Sequence, residues 1–287
     1  MIENYELDKI KDFGSMQVTL LNDKLIDNNS AFIEIYKLGN KELDELILND
    51  NSNHSTFINV FWDYWLSNKE RLHQKYFDFC KTNLFMVFDE ADTQEFIYDA
   101  MYLALIDRIF NYSSKLNIAH DYADFNAEEL LYLISLFDVS ADTVDENSEY
   151  GDFIDMLECI TKDYESYDID EINEKTKKGI ASLEQFLIDL INERIKLNKY
   201  KVIYPYSIKV NESRYICSFS NSLIGICFTK LALKISGYNI DHRYHQCKYY
   251  KCINYFTKEQ NRTEYCPECI KNNIPNILKN KKFNTKR

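Results

Sequence analysis

Four cysteines toward the C-terminal end constrain this chain more than any other feature. Cys247, Cys252, Cys266 and Cys269 lie in the run CKYYKCINYFTKEQNRTEYCPEC. Two pairs, with four and two residues between their members, flank a connector of thirteen residues. Half of the chain's eight cysteines therefore fall in the 23 residues from Cys247 to Cys269. Zinc(II) favours a tetrahedron of thiolates; each close pair supplies two corners, and two pairs close the shell. A shell closed by four cysteines leaves no position for substrate, so a metal held there is structural rather than catalytic. The pattern predicts one zinc ion on Cys247, Cys252, Cys266 and Cys269. His245, two residues before Cys247, is the alternative ligand for one corner.

The run RYHQCKYYKCINYF followed by RTEYCPEC resembles the C-terminal finger of a group of bacterial and phage-borne proteins of unknown function. Their pattern is Cys, a short spacer, Cys, two residues, an aromatic pair, then Tyr-Cys-x-x-Cys. Tyr255-Phe256 and Tyr265-Cys266 stand at the matching positions. The lead-in is similar too: a short hairpin containing RYICSFSNS, an apolar helix, then the finger. A looser resemblance is to the CGNR zinc-finger proteins, regarded as transcription regulators. They share two cysteines separated by four residues, an aromatic four residues on (here Phe256) and an Arg before the second pair (here Arg262). In place of the name-giving Cys-Gly-Asn-Arg this chain has Cys269-Ile270-Lys271-Asn272. The resemblance covers about residues 200–270. It implies a zinc finger and, through the second group, a regulatory role.

The remainder of the chain reads as helical. Only three prolines and six glycines punctuate 287 residues, and 15% of residues are aromatic, so long buried helices are expected. Phe57, Val60, Phe61, Tyr64 and Trp65 recur at helical spacing behind Ser55 or Thr56 as N-cap. The segment RLHQKYFDFCKTNLFMVF continues in the same vein, with His73 among polar residues and assigned to solvent. From Asp92 or Thr93, Phe96, Ala100, Leu103, Ile106 and Phe110 form the inner face of the clearest helix. AEELLYLISLF, FIDMLECI (153–160) and 172–197 follow as helices, the last with its stripe at Ile180, Leu183, Leu187, Leu190, Ile191 and Ile195.

Two hairpin signals interrupt this pattern. At the N-terminal end, MQVTLL (16–21) and AFIEIYKL (31–38) are read as a hairpin across a polar turn, ahead of a short helix at 41–48. Further on, YKVIYPYSIKV and SRYICSF alternate about the turn Asn211-Glu212-Ser213, a second hairpin with Pro205 marking an edge strand. Ser220 to Ser222 then caps an apolar helix that ends at Gly237. The expected class is mainly α (α+β). It has a mostly helical body over 1–200, a hairpin and helix docking the finger over 201–240, a zinc-ribbon or treble-clef-like finger over 241–270 and a basic tail over 271–287.

Charge is divided unevenly. Of 34 basic and 46 acidic residues, 11 and 4 lie from Asp241 onward, leaving 23 and 42 before it. The finger and tail thus carry +7 and the rest −19, so only the C-terminal end attracts nucleic acid. Lys248, Lys251, Lys258, Arg262, Lys281 and Lys282 are the candidate phosphate contacts, and Tyr249, Tyr250, Tyr255 and Phe256 the candidate stacking rings. In the finger's own structure, Phe256 and Tyr265 are expected to pack around the metal. Asp138–Glu171 is acidic with Lys162 its one basic residue, and reads as a solvated face. Neither DVSADTVDENSE nor DYESYDIDEINE has the Gly and alternating Asp of a calcium loop.

The N-terminus has acidic residues and no apolar core of a signal peptide, and no apolar run reaches membrane-spanning length. Cytoplasm and reduced thiols are expected, which makes Cys80, Cys159, Cys217 and Cys227 small buried hydrophobes. Three functions remain. The first is a zinc-finger protein that binds nucleic acid or regulates through its basic end. The second is an interaction or scaffold protein with a purely structural zinc, whose acidic body meets a basic partner. The third is a metal-dependent nuclease or defence-system effector built from scattered carboxylates. The sequence has no Gly-rich phosphate loop, nucleophile elbow or metal-binding His pair, and His120-Asp121 has no nucleophile nearby.

Overall fold

The computed structural model describes residues 17–21, 24–49, 56–83, 90–116, 127–137, 151, 154, 157, 169–198, 202–210, 213–220, 222–237, 244–249, 252, 254–257 and 264–278. Among them helices predominate, as the composition requires. They are α1 (Asn28–Asn49), α2 (Phe57–Asn83), α3 (Glu90–Leu116), α4 (Ala127–Ser135), α5 (Ile169–Leu197), α6 (Leu223–Ile235) and α7 (Pro267–Lys271). The strands are β1 (Gln17–Leu21), β2 (Lys24–Asp27), β3 (Val202–Val210), β4 (Ser213–Ser220), β5 (Tyr244–Gln246) and β6 (Tyr255–Thr257). No described helix is long and apolar enough to cross a membrane.

α3 is the central helix. Ile97, Ala100, Met101, Leu103, Ala104, Leu105, Ile106 and Ile109 are all buried, so it is enclosed on every side rather than along one stripe. α1 and α5 bury one face each into the same core, through residues such as Leu43 and Leu187, and α6 enters it with all of Leu223–Phe228 buried. α2 adds Phe57, Phe61 and Tyr76, and the Thr56 carbonyl accepts the first bonds of that helix. Gly151, Ile154 and Leu157 are helical, the latter two buried, as the spacing of FIDMLECI predicts.

Buried charges lock the helices together. Glu42 of α1 is fully buried and accepts from Lys75 and from the Tyr64 hydroxyl of α2, with Arg71 at 3.2 Å. Asp99 of α3 accepts from Arg194 and Asn198 at the end of α5. Arg108 of α3 donates to Asn40 and Asp44 of α1. Each buried charge is thus met by a partner, without which burial would be prohibitive.

The sheet has the order β2-β1-β4-β3. β3 and β4 form the antiparallel hairpin expected from their alternation. The register slips between Ile203 and Tyr206, the stretch holding Pro205, which cannot donate to a ladder. β1 pairs parallel with β4 and antiparallel with β2.

The N-terminal reading needs correction. The strand partner of β1 is Lys24–Asp27, and Ala31–Leu38 is not a strand but the first half of α1. Taken with the helix read at 41–48, Phe32, Ile35, Tyr36, Leu43 and Leu46 keep a helical rhythm across both segments, and burying that stripe outweighs the β preference of Ile and Phe. His73 is also corrected: it is half-buried, its ring 5.3 Å from that of Trp65. His120-Asp121 and most of Asp138–Glu171 lie outside the described residues.

Candidate metal centre

The finger begins with β5 and β6, paired antiparallel so that His245 faces Phe256 and Gln246 faces Tyr255. The chain leaves β5 directly into Cys247, whose N–H donates to the Asn254 carbonyl. Cys252 returns its N–H to the Tyr249 carbonyl, closing a tight turn that presents both thiols on one side. The second pair is carried by α7. Cys266 is its N-cap, Pro267 opens its first turn and Cys269 sits one turn along. A hairpin pair joined to a pair on a helix is the treble-clef arrangement rather than the ribbon.

The four thiols converge. Their sulfurs all lie within 4.8 Å of one another, with Cys252 and Cys266 3.7 Å apart. A tetrahedron with metal–sulfur bonds of about 2.3 Å has sulfur–sulfur edges of about 3.8 Å, so the spacing matches a four-thiolate shell. All four cysteines are buried, and Phe256, Tyr249, Tyr265 and Ile274 pack around them. Backbone N–H groups aim at the sulfurs, Cys266 N at Cys247 Sγ (3.3 Å) and Cys269 N at Cys266 Sγ (3.5 Å). Such donors are the outer shell that steadies thiolate ligands. The Cys252 thiol, hydrogen-bonded to Cys247, holds the latter down at about 5, with help from the Cys266 N–H. Cys252 is pushed up by the same bond, and burial pushes Cys269 up to about 12. Cys247 therefore gives up its proton most readily, while Cys252 and Cys269 need a cation to displace theirs. These cysteines could hold a metal ion, and His245 does not belong to the cluster.

β6 has two faces, and successive residues use them differently. Phe256 faces the thiols, while Tyr255 points into the helical body. Its ring stands edge-on to Tyr36 at 5.2 Å and to Phe32 at 6.1 Å, both in α1. Its hydroxyl donates to Asp107 of α3 (2.9 Å) and accepts from Lys234 of α6. Lys234 also donates to Asp107 (2.7 Å) and to Asn111 (2.8 Å), and Asn111 returns a bond to Asp107 (2.7 Å). Burial pushes the Tyr255 hydroxyl well above its usual range and the Lys234 ammonium down, the latter opposed by Asp107.

The structure thus brings Cys247, Cys252, Cys266 and Cys269 together, and it separates the other candidates. Tyr255, a candidate stacking ring, is a pin in the body, and Phe256 belongs to the packing around the thiols. Lys248 is exposed and paired with Glu264 at 2.9 Å. Lys251, Lys258, Arg262, Lys281 and Lys282, like Tyr250, lie outside the described residues. Asp107, Asn111 and Lys234 escaped the sequence reading. Their one signal is a polar residue on an otherwise apolar helical face, Asp107 after Leu103 and Ile106, and Lys234 beside Leu231 and Ile235. No family model matches the chain, and neither a curated protein nor a solved structure does.

Proposed function

We propose that the four cysteines hold one zinc(II) ion as a structural staple, and that the protein is a binding protein whose acidic helical body meets a basic protein partner. The observation that carries this reading is the placement of Tyr255. A finger that grips single strands by stacking needs its aromatic rings free. Here Tyr255 is spent on fixing the finger to α1, α3 and α6, and Phe256 on the packing around the thiols. Zinc fits because in structural sites it takes a closed tetrahedron of four thiolates, with no position left open for a substrate.

Nucleic-acid binding through Lys248, Lys251, Lys258, Arg262, Lys281 and Lys282 is the second reading, and the +7 charge from Asp241 onward favours it. Metal analysis and a gel shift separate the two on the full chain. The staple reading expects one zinc per chain, lost in Cys266→Ser, and no shift of duplex or single-stranded DNA or RNA at low salt. A salt-dependent shift that disappears when Lys281 and Lys282 become Gln would turn the conclusion to nucleic acid. Protein purified without chelator and free of metal would sink the staple.

A further inference from the structure

α2 carries an exposed apolar strip. Ile58, Trp62 and Leu66 are 51%, 44% and 71% exposed. Residues four apart lie one above another on a helix, so these three form a continuous ridge about 12 Å long. Beside it opens a groove of about 340 Å³, lined by Ile58, Phe61 and Trp62 of α2, Glu95 and Tyr98 of α3 and Arg194 of α5. The groove is already shaped. Tyr98 stands edge-on to Phe61 at 4.8 Å, and the Arg194 guanidinium lies over the Tyr98 ring at 4.6 Å. Arg194 Nε is anchored on buried Asp99, which neutralises the one cation of the wall. What the groove offers is an aromatic slot for a single large apolar side chain, bordered by a ridge that continues the contact.

Charge selects the occupant. Asp63 and Glu70 flank the ridge on α2, Glu95 borders the groove on α3, and all three are exposed. Lys69, one turn beyond Leu66, is the single exposed cation next to them on α2. A second copy docked about a two-fold axis would press this acidic border against itself. Nucleic acid would meet the same repulsion. Basic groups on either side of an apolar stripe would meet the opposite.

We infer that the ridge and groove dock an amphipathic helix of another protein, one that inserts a large apolar side chain beside Trp62 and carries Lys or Arg on both sides of its stripe. The inference rests on reading the body as a protein-binding surface and is independent of the metal.

The test is a random peptide library displayed on phage and panned on the full-length protein, with counter-selection on the Trp62→Ala/Leu66→Asp variant. Selected peptides should show apolar residues at i, i+3 or i+4 and i+7 with Lys or Arg between them. By fluorescence anisotropy they should bind Leu66→Asp or Glu95→Lys about tenfold more weakly or worse, as truncation of an anchor contact does. They should bind Leu48→Asp, changed at an exposed leucine of α1 outside the groove, as well as the unaltered protein. Leu66 is largely exposed, so its substitution should leave zinc content and melting temperature unchanged, which confirms that lost binding is local. Selected peptides that are acidic or lack helical spacing, or that bind the variants undiminished, overturn the docking site. So does a dimer in light scattering that Leu66→Asp converts to monomer, since a second copy would then cover the ridge. Because zinc content is read in the same samples, failure here leaves the staple standing, and loss of the staple is seen separately.

Discussion

At the scale of single residues, Tyr255 carries the most. Its ring fills a gap between Phe32 and Tyr36 while its hydroxyl joins Asp107 to Lys234. Tyr255→Phe keeps the ring and removes one hydrogen bond from each of two charged groups, Asp107 and Lys234, which still hold each other, so it should destabilise the protein by about 1–3 kcal/mol in urea unfolding. Zinc content should stay at one per chain, because the thiols are served by the other face of β6. Loss of metal in this variant would show that the pin and the metal site are not separable. Buried tyrosines also set an alkaline limit. Burial raises Tyr36, Tyr64, Tyr102, Tyr112 and Tyr255, and lifts Tyr98 to about 12. In the unfolded chain these rings ionise near a pH of about 10. Above that, the unfolded state holds fewer protons than the folded one, so stability falls as pH rises towards the folded values. Unfolding titrations between pH about 9 and 11.5, followed by tyrosinate absorbance, should show that fall; constant stability across the window would contradict it. The cysteines were legible in the sequence because metal ligands advertise themselves by local spacing. The socket of Tyr255 was not, because Asp107 and Lys234 come from helices far apart in the chain and no local pattern records their meeting.

Among the described helices, α1 and α3 share the most extensive contact, and Gly39 lets their backbones approach closely. A Cβ on Gly39 would fall 1.9 Å from the Ala100 carbonyl oxygen and 2.3 Å from its carbon. Both are helix backbone and cannot swing aside. Gly39→Ala tests this cleanly because two effects oppose. Better helix propensity contributes about 1 kcal/mol in favour. Overpacking between two rigid helices costs about 1–3 kcal/mol or more, and at 1.9 Å it should win. A lower melting temperature by circular dichroism is the expected outcome, and a raised one would mean the helices sit further apart. The same glycine explains part of what the sequence left unread. A glycine inside a helical pattern looks like a weakness. It is a packing device whose reason lies on another helix. The β3–β4 hairpin, in contrast, was legible because its turn and its alternation are both local. The parallel pairing of β1 with β4 joins strands separated by most of the chain, which neither strand's own pattern encodes.

For the whole molecule, the question is how far the metal's influence reaches. The sequence alone suggests a finger that unfolds by itself over about 241–270 when its ion is removed, since thiolate binding and local folding are coupled. The structure moves that boundary. Tyr255 lies three residues from Cys252 and is held in the body from α1, α3 and α6. When the thiols lose their ion and β5–β6 opens, the pin leaves with them. Asp107, Asn111 and Lys234 keep one another, because the Lys234 ammonium bonds both of the others without Tyr255. They lose the cover of the ring, and Phe32 and Tyr36 lose its edge. Chelation should therefore raise amide hydrogen exchange in the finger, in α6 around Lys234 and in α3 around Asp107, while α2 and the buried stretch of α5 from Ile180 to Ile191 keep their protection. Helical circular dichroism should hardly change, since α7 is only five residues long. Exchange that rises in the finger alone would mean that Tyr255 stays docked without the metal. A loss of helical signal would mean that the finger is not a staple on a finished body but part of what folds it.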